Sequence, residues 1–184
     1  MSERSPGPDP RRDEELIAAI NSGDPDAFEA LYRRYRDWVA RLAMRFTGDP
    51  DLAMDVLQET FAYLVRKMPS LRLTARMTTF LYPAVKNLSI AARRKRKRFA
   101  GNDEALSTAA AREIAADPRD GLSAVLSILP ETHREVLLMR FVDDMSLEEI
   151  ASALKIPLGT VKSRLHNALQ TLRQDDRTRD FFER

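Results

Sequence analysis

The chain of 184 residues contains no cysteine, which excludes a disulfide framework and any thiolate metal site. It has two histidines, His133 and His166, far apart in sequence and without partners at ligand spacing, so no metal is expected. No apolar run approaches the length of a membrane span, and the N-terminus has no signal-peptide core. The expectation is a cytoplasmic protein without membrane insertion. Glycine is scarce, with six in all, and no Gly-rich phosphate loop, His-x-x-x-His pair or triad candidate occurs. An enzyme is therefore not expected, and no cofactor is implied. A large net charge is absent too: it is +2, although the pI is about 9.0. Any case for nucleic acid must rest on where the charge clusters.

What is present is 43% hydrophobic and 32% charged sequence in helical patterns. The most informative stretch is Ser146 to Arg173. Ser146 with Glu149 three residues on is a capping-box pattern, and Met145 and Ile150 are placed for its hydrophobic staple. Leu147, Ile150, Ala151 and Leu154 lie on one apolar face. Pro157 and Gly159 predict a stop between Lys155 and Gly159, and the Thr160 hydroxyl is expected to cap a second helix. On that helix Val161, Leu165, Ala168, Leu169 and Leu172 share a side. Lys162, Ser163, His166, Asn167, Gln170 and Arg173 share the other, with Arg164 at its edge. No acid occurs from Thr160 to Arg173. A basic, amide-rich front on an apolar back suits the DNA major groove, where Lys and Arg meet phosphates or guanine and Asn or Gln pairs with adenine. An ordinary helical hairpin with a solvated face is the plainer alternative, against which the cap, the turn and the acid-free front weigh together.

Upstream, residues 1–12 are rich in Pro, Ser and charge and read as a disordered tail. A short helix with Leu16, Ile17 and Ile20 on one side follows, broken at Gly23. Asp24-Pro25-Asp26 is a helix start, Asp as cap and Pro in the first turn. Phe28, Leu31, Tyr32, Tyr35, Trp38, Val39, Leu42 and Phe46 then recur at helical spacing as a core stripe. Asp49-Pro50-Asp51 repeats the start signal for a helix from Asp51 to about Lys67. That helix buries Ala53, Val56, Leu57, Phe61 and Leu64 and shows Asp51, Asp55, Gln58 and Glu59. The acidic face reads either as solvated or as a docking surface for a basic partner.

After a loop from Pro69 to Met77, carrying Arg72 and Arg76, a helix is expected from Thr78 to about Arg98, with Pro83 predicting a kink or a break. It ends in six consecutive cations, Arg93 to Arg98, more than a helix dipole needs; phosphates explain them economically. Phe80 and Tyr82 suit either core packing or stacking on unpaired bases. Residues 99–119 read as a linker with a weak helix near 105–115. Leu122, Val125, Leu126 and Leu129 mark one further helix, and Pro130 starts another through Val136, Leu137, Leu138 and Phe141. The expected organisation is all-α: a tail over 1–12, a first domain over 13–98, the linker, a helix-turn-helix domain over 120–174, and a short tail over 175–184.

This arrangement resembles the extracytoplasmic-function (ECF) group of bacterial RNA polymerase sigma factors in the sigma-70 superfamily. The stretch FEALYRRYRDWVARLAMRFTGDPDLAMDVLQETFAYLVRK, with Asp55, Gln58, Glu59 and Phe61 as its D-x-x-Q-E-x-F core, is similar to the opening of region two. TTFLYPAVKNLSIAARRKRKR resembles that region's promoter-melting helix, and LSILPETHREVLLMRFVDDMSLEEIASALKIPLGTVKSRLHNALQTLR resembles region four. The likeness covers about residues 24–98 and 121–173. It implies that Asp51, Asp55, Gln58 and Glu59 dock on the clamp helices of the largest subunit of core RNA polymerase. Arg72, Arg76, Phe80, Lys86, Asn87, Arg93, Arg94 and Arg96 would serve the −10 promoter element, with the loop from Pro69 to Met77 helping to hold an extruded non-template base. Thr160, Lys162, Ser163, Arg164, His166 and Asn167 would read the −35 element, in a domain that also touches the polymerase flap. An anti-sigma factor is a further partner known from the family. Phe80 stands where the family often has Trp, Ala91 where it often has Asp, and Pro83 is unusual in the melting helix. The alternative function is a stand-alone helix-turn-helix regulator binding duplex DNA as a dimer, which would need a dimerisation or sensor domain that residues 24–98 do not resemble.

Overall fold

A computed structural model describes residues 9–99, 125–175 and Thr178 of the chain. The expected linker, apart from Phe99, lies outside these residues, as do the weak helix near 105–115 and most of both tails. Among the described residues there are seven helices and no strand: α1 (Asp13–Asn21), α2 (Pro25–Thr47), α3 (Pro50–Lys67), α4 (Met77–Phe99), α5 (Glu131–Phe141), α6 (Leu147–Leu154) and α7 (Leu158–Gln174). The chain divides into two compact units between Arg96 and Lys97.

In the first unit the two Asp-Pro-Asp signals act as local chemistry predicts. The Asp24 carboxylate accepts from the backbone N–H groups of Asp26 and Ala27 at 2.9 and 3.2 Å, and Asp49 accepts from Leu52 at 3.0 Å. Each cap satisfies amides that the first turn leaves without a helical partner. Between the two helices the chain turns at Gly48, in the left-handed region at φ 66°, where a Cβ would be strained. α2 lies chiefly against α3, and α1 against α2. Leu31, Val39 and Leu42 of α2 are fully enclosed with Val56, Phe61 and Leu64 of α3. The α2 aromatics are half-buried around that core, Tyr32 edge-on to Phe61 with ring centroids 4.7 Å apart. Such a pair adds about 0.5–1.5 kcal/mol beyond its area burial.

One expectation changes here, and two open alternatives narrow. Asp9 to Arg12, assigned to a disordered tail, are held by long-range contacts: Arg34 donates to the Asp9 and Arg11 carbonyls, both at 2.8 Å, and to the Asp13 carboxylate at 2.7 Å. The tail reading weighed composition, which is blind to a cation arriving from 25 residues downstream. Pro83 does not break α4, which continues through it. The helix tolerates the missing Pro83 N–H, which leaves the Thr79 carbonyl without its usual donor, because Leu81, Tyr82 and Val85 anchor both sides of the proline in the core. Tyr82 is 1% exposed and edge-on to Phe46, so it belongs to the core and not to a stacking surface.

The second unit is built from α5, α6 and α7, with α5 and α6 each lying on α7. Val125, Leu126, Leu129, Leu137 and Leu138 close over Ala168 and Leu172. Phe141, expected on the apolar side of α5, is instead exposed, as is Val142 beside it. Glu135 to Met139 form a continuous buried run, whereas Phe141, the last residue of the helix, is exposed although it lies four residues after the buried Leu137.

Candidate DNA and polymerase interfaces

The helix-turn-helix is held by reciprocal caps. Glu149 Oε2 accepts from the Ser146 N–H at 2.7 Å, and Ser146 Oγ accepts from the Glu149 N–H at 3.1 Å. Met145 and Ile150, the two staple positions, are both fully buried. α6 ends at Lys155, a non-glycine residue in the left-handed region at φ 55° and ψ 45°. α7 then begins at Leu158, three residues earlier than expected, with Pro157 before it. Thr160 is therefore not the cap: it lies inside the first turn, and its N–H donates to the Pro157 carbonyl at 2.9 Å. Pro157, whose ring fixes φ, stands at the cap position instead, and no side-chain hydrogen bond caps α7. Gly159 lies within the helix, with open space where a Cβ would go.

On α7, Val161, Ala168 and Leu172 are buried, and Lys162, Ser163, His166 and Asn167 are exposed. Thr160 and Arg164 are half-buried at the margin. Ser163 Oγ donates to the Thr160 carbonyl at 3.0 Å, which settles its rotamer but leaves its acceptor positions open. The expected front is thus one continuous polar surface without an acid.

In the first unit, Asp51, Asp55, Gln58 and Glu59 are all exposed on α3. Met54, 51% exposed among them, was missed because a single Met off the apolar stripe carries no periodic signal. Glu59 accepts from Arg66 at 2.6 Å, an exposed pair worth little to stability. The loop after α3 is tied back by the Asn21 side-chain amide, which donates to the Leu71 carbonyl at 3.0 Å. Arg72 and Arg76 are exposed on it. Phe80, half-buried, stacks on Tyr63 with ring centroids 6.1 Å apart and planes inclined by 21°. The Lys67 ammonium lies 5.3 Å from the Tyr63 centroid. Tyr63 is thus part of an aromatic-cation surface that the sequence reading had not included.

Along α4, Asn87 and Arg94 are exposed and Lys86 is half-buried. Among the expected promoter cations, Arg93 donates to the Phe46 carbonyl at 3.3 Å, and Arg96 pairs with the Asp49 carboxylate. The Asp49 carboxyl is held below its usual range, first by the Leu52 N–H and then by Arg96. On α2, burial and then the hydrogen bond to the Asp13 carboxylate push the Tyr35 phenol up. No helix among the described residues is long and apolar enough to cross a membrane.

A helix-turn-helix module downstream of a second, all-helical unit defines a class of DNA-binding proteins. The family model for Sigma-70 region 2 matches residues 31–99, and that for Sigma-70, region 4 matches residues 125–174. The ECF RNA polymerase sigma factor SigW of Bacillus subtilis is 30% identical over 174 residues, covering 86% of this chain and 93% of its own. The ECF RNA polymerase sigma-E factor of Escherichia coli K12 is 29% identical over 176 residues, covering 87% and 92%. The chain belongs to the sigma-70 family of RNA polymerase sigma factors, in its ECF group. Solved folds agree. The sigma factor RpoE of Bartonella quintana, in complex with the anti-sigma factor NepR, matches with a TM-score of 0.61 at 20% identity, covering 80% of this chain and 94% of that one. CnrH, in complex with the cytosolic domain of CnrY, matches with a TM-score of 0.64 at 21% identity, covering 86% and 93%.

Proposed function

We propose that this sigma factor, a transcription initiation factor by its family, carries out initiation with the surfaces described above. The exposed α3 face of Asp51, Asp55, Gln58 and Glu59 docks on the clamp helices of core RNA polymerase. The α7 front of Thr160, Lys162, Ser163, Arg164, His166 and Asn167 enters the major groove at the −35 element, while the second unit also touches the flap. Arg72, Arg76, Phe80, Lys86, Asn87 and Arg94 work at the −10 element, with Arg93 and Arg96 on the same helix. Extruding a base there costs a few kcal/mol of stacking, which an aromatic platform and phosphate contacts offset. The Phe80–Tyr63 stack supplies the aromatic platform, and the exposed Arg72 and Arg76 supply cations. The chain has no catalytic step of its own; the polymerase carries the chemistry, in the cytoplasm. An anti-sigma factor is its regulatory partner, in line with the complex of RpoE with the anti-sigma factor NepR.

One observation carries this reading: the chain pairs an exposed acidic face on α3 with an acid-free exposed front on α7, under matches to both region models. The test is gel filtration of the full chain with bacterial core RNA polymerase in the absence of DNA. Stable co-elution is expected. Failure to co-elute, together with tight duplex binding by the chain alone, would instead identify a stand-alone regulator.

A further inference from the structure

The apolar packing of α4 stops early. Its buried residues are Met77, Thr79, Leu81, Tyr82, Val85 and Ser89, and none lies beyond Ser89. The remaining ten residues carry six consecutive cations, whose mutual repulsion favours fraying. Two arginines at i and i+3, on one face of this stretch, reach back to one corner of the fold. Arg93 donates to the Phe46 carbonyl at the end of α2, and Arg96 meets the Asp49 carboxylate at the start of α3. Both partners flank the left-handed turn at Gly48.

An exposed ion pair is ordinarily weak, because ordering two long side chains costs about what the attraction returns. Here one side is already ordered. Asp49 Oδ1 caps α3 through the Leu52 N–H, and the side chain is 23% exposed, so Oδ2 is presented in a fixed position. Only the arginine has to be immobilised.

We propose that Asp49 is a positioning residue for promoter binding: it clamps Arg96 so that the basic end of α4 keeps its direction, and Arg96 acts through this brace and not through a DNA phosphate. The proposal rests on the reading of α4 as the promoter helix. It divides the basic run by task, with Arg94 facing outward to DNA and Arg96 facing inward to the protein.

The test measures promoter-fragment affinity of the full chain assembled with core polymerase, across a salt series. Each phosphate contact contributes about 0.7–0.9 to the slope of log affinity against log salt. Arg94→Ala should make the slope shallower by about that amount. Arg96→Ala should weaken binding roughly fivefold with the slope unchanged. Asp49→Asn keeps the cap, since Asn caps as well as Asp, and removes the clamp. It should also weaken binding roughly fivefold, although it deletes a negative charge near DNA, and the double variant should be no worse than either single one. A shallower slope for Arg96→Ala, tighter binding by Asp49→Asn, or additive losses would each overturn the brace. An unchanged slope for Arg94→Ala would refute the promoter-helix reading itself, and the brace with it. Arg96 is 57% exposed, so its truncation leaves the core intact even if the Asp49 variant fails to fold.

Discussion

Lys155 closes α6 at φ 55° and ψ 45°, a conformation that brings the Cβ of an L-residue too close to the backbone. The penalty is about 1–2 kcal/mol for an ordinary residue and is absent for glycine. Glycine in turn loses more backbone freedom on folding, about 0.5–1 kcal/mol. The Lys155 side chain is exposed, so its removal forfeits no packing. Lys155→Gly should therefore stabilise the second unit by about 0.5–1 kcal/mol. For a unit of this size, 1 kcal/mol moves the midpoint by about 4–8 °C. Lys155→Asn, which tolerates the left-handed region, should move it up by less, and the β-branched Lys155→Val should move it down. The assay exploits the chain's one tryptophan, Trp38 on α2. Tryptophan fluorescence reports the first unit, whereas hydrogen exchange at α6 and α7 amides reports the second. Exchange protection in α6 and α7 should rise for Lys155→Gly while the fluorescence transition stays in place. A fall in protection, or a valine variant as stable as wild type, would refute the strain argument.

Other expectations concern both units. Arg164→Ala should weaken −35 binding by about 1–3 kcal/mol while leaving polymerase co-elution intact, and equal loss of both would count against the assignment. Replacing Asp55 and Gln58 together with Ala should reduce competition against another sigma factor for core polymerase without shifting the Trp38 transition; undiminished competition would remove α3 as the docking face. Pro83→Ala restores an N–H for the Thr79 carbonyl and should raise the Trp38 transition, by up to about 3 kcal/mol of stability; a lower midpoint would mean the proline shapes the helix favourably. The Asp24 carboxyl is held below the usual carboxylate range by the Ala27 N–H and then by Arg11. A depressed carboxyl contributes stability that is complete above its unfolded pKa and is lost as pH falls through the lower folded one. Stability of the first unit should thus decline below about pH 4, and Asp24→Asn, which keeps the cap without the titration, should flatten that decline in an acid melting series.

Much of this protein is written in short-range signals. Asp24 and Asp49 lie within three residues of the amides they cap, and Ser146 and Glu149 satisfy each other across one turn. The apolar spacing in α3 names every residue that the fold buries there except Thr60. These effects act over one or two helical turns, so a linear reading captures them, and with them the helices and the polar fronts of α3 and α7. One local signal serves a second purpose: Pro157, expected only to stop α6, also stands at the cap position of α7, so that helix starts before Thr160.

Only the tertiary structure decides which groups meet across tens of residues. The sequence makes Arg93, Arg94 and Arg96 equivalent members of one basic run. Folding sends two of them to Phe46 and Asp49 and leaves Arg94 outward, because the α2–α3 corner lies beside one face of α4. In the same way Phe80 and Tyr82, two residues apart, part company: one stacks on Tyr63 at the surface and the other fills the core against Phe46. Arg34 gathers Asp9 and Arg11 from a segment whose composition suggested disorder. Periodicity specifies which face of a helix is buried; the neighbour that buries it is set by packing, and the task of each charged side chain follows from that neighbour.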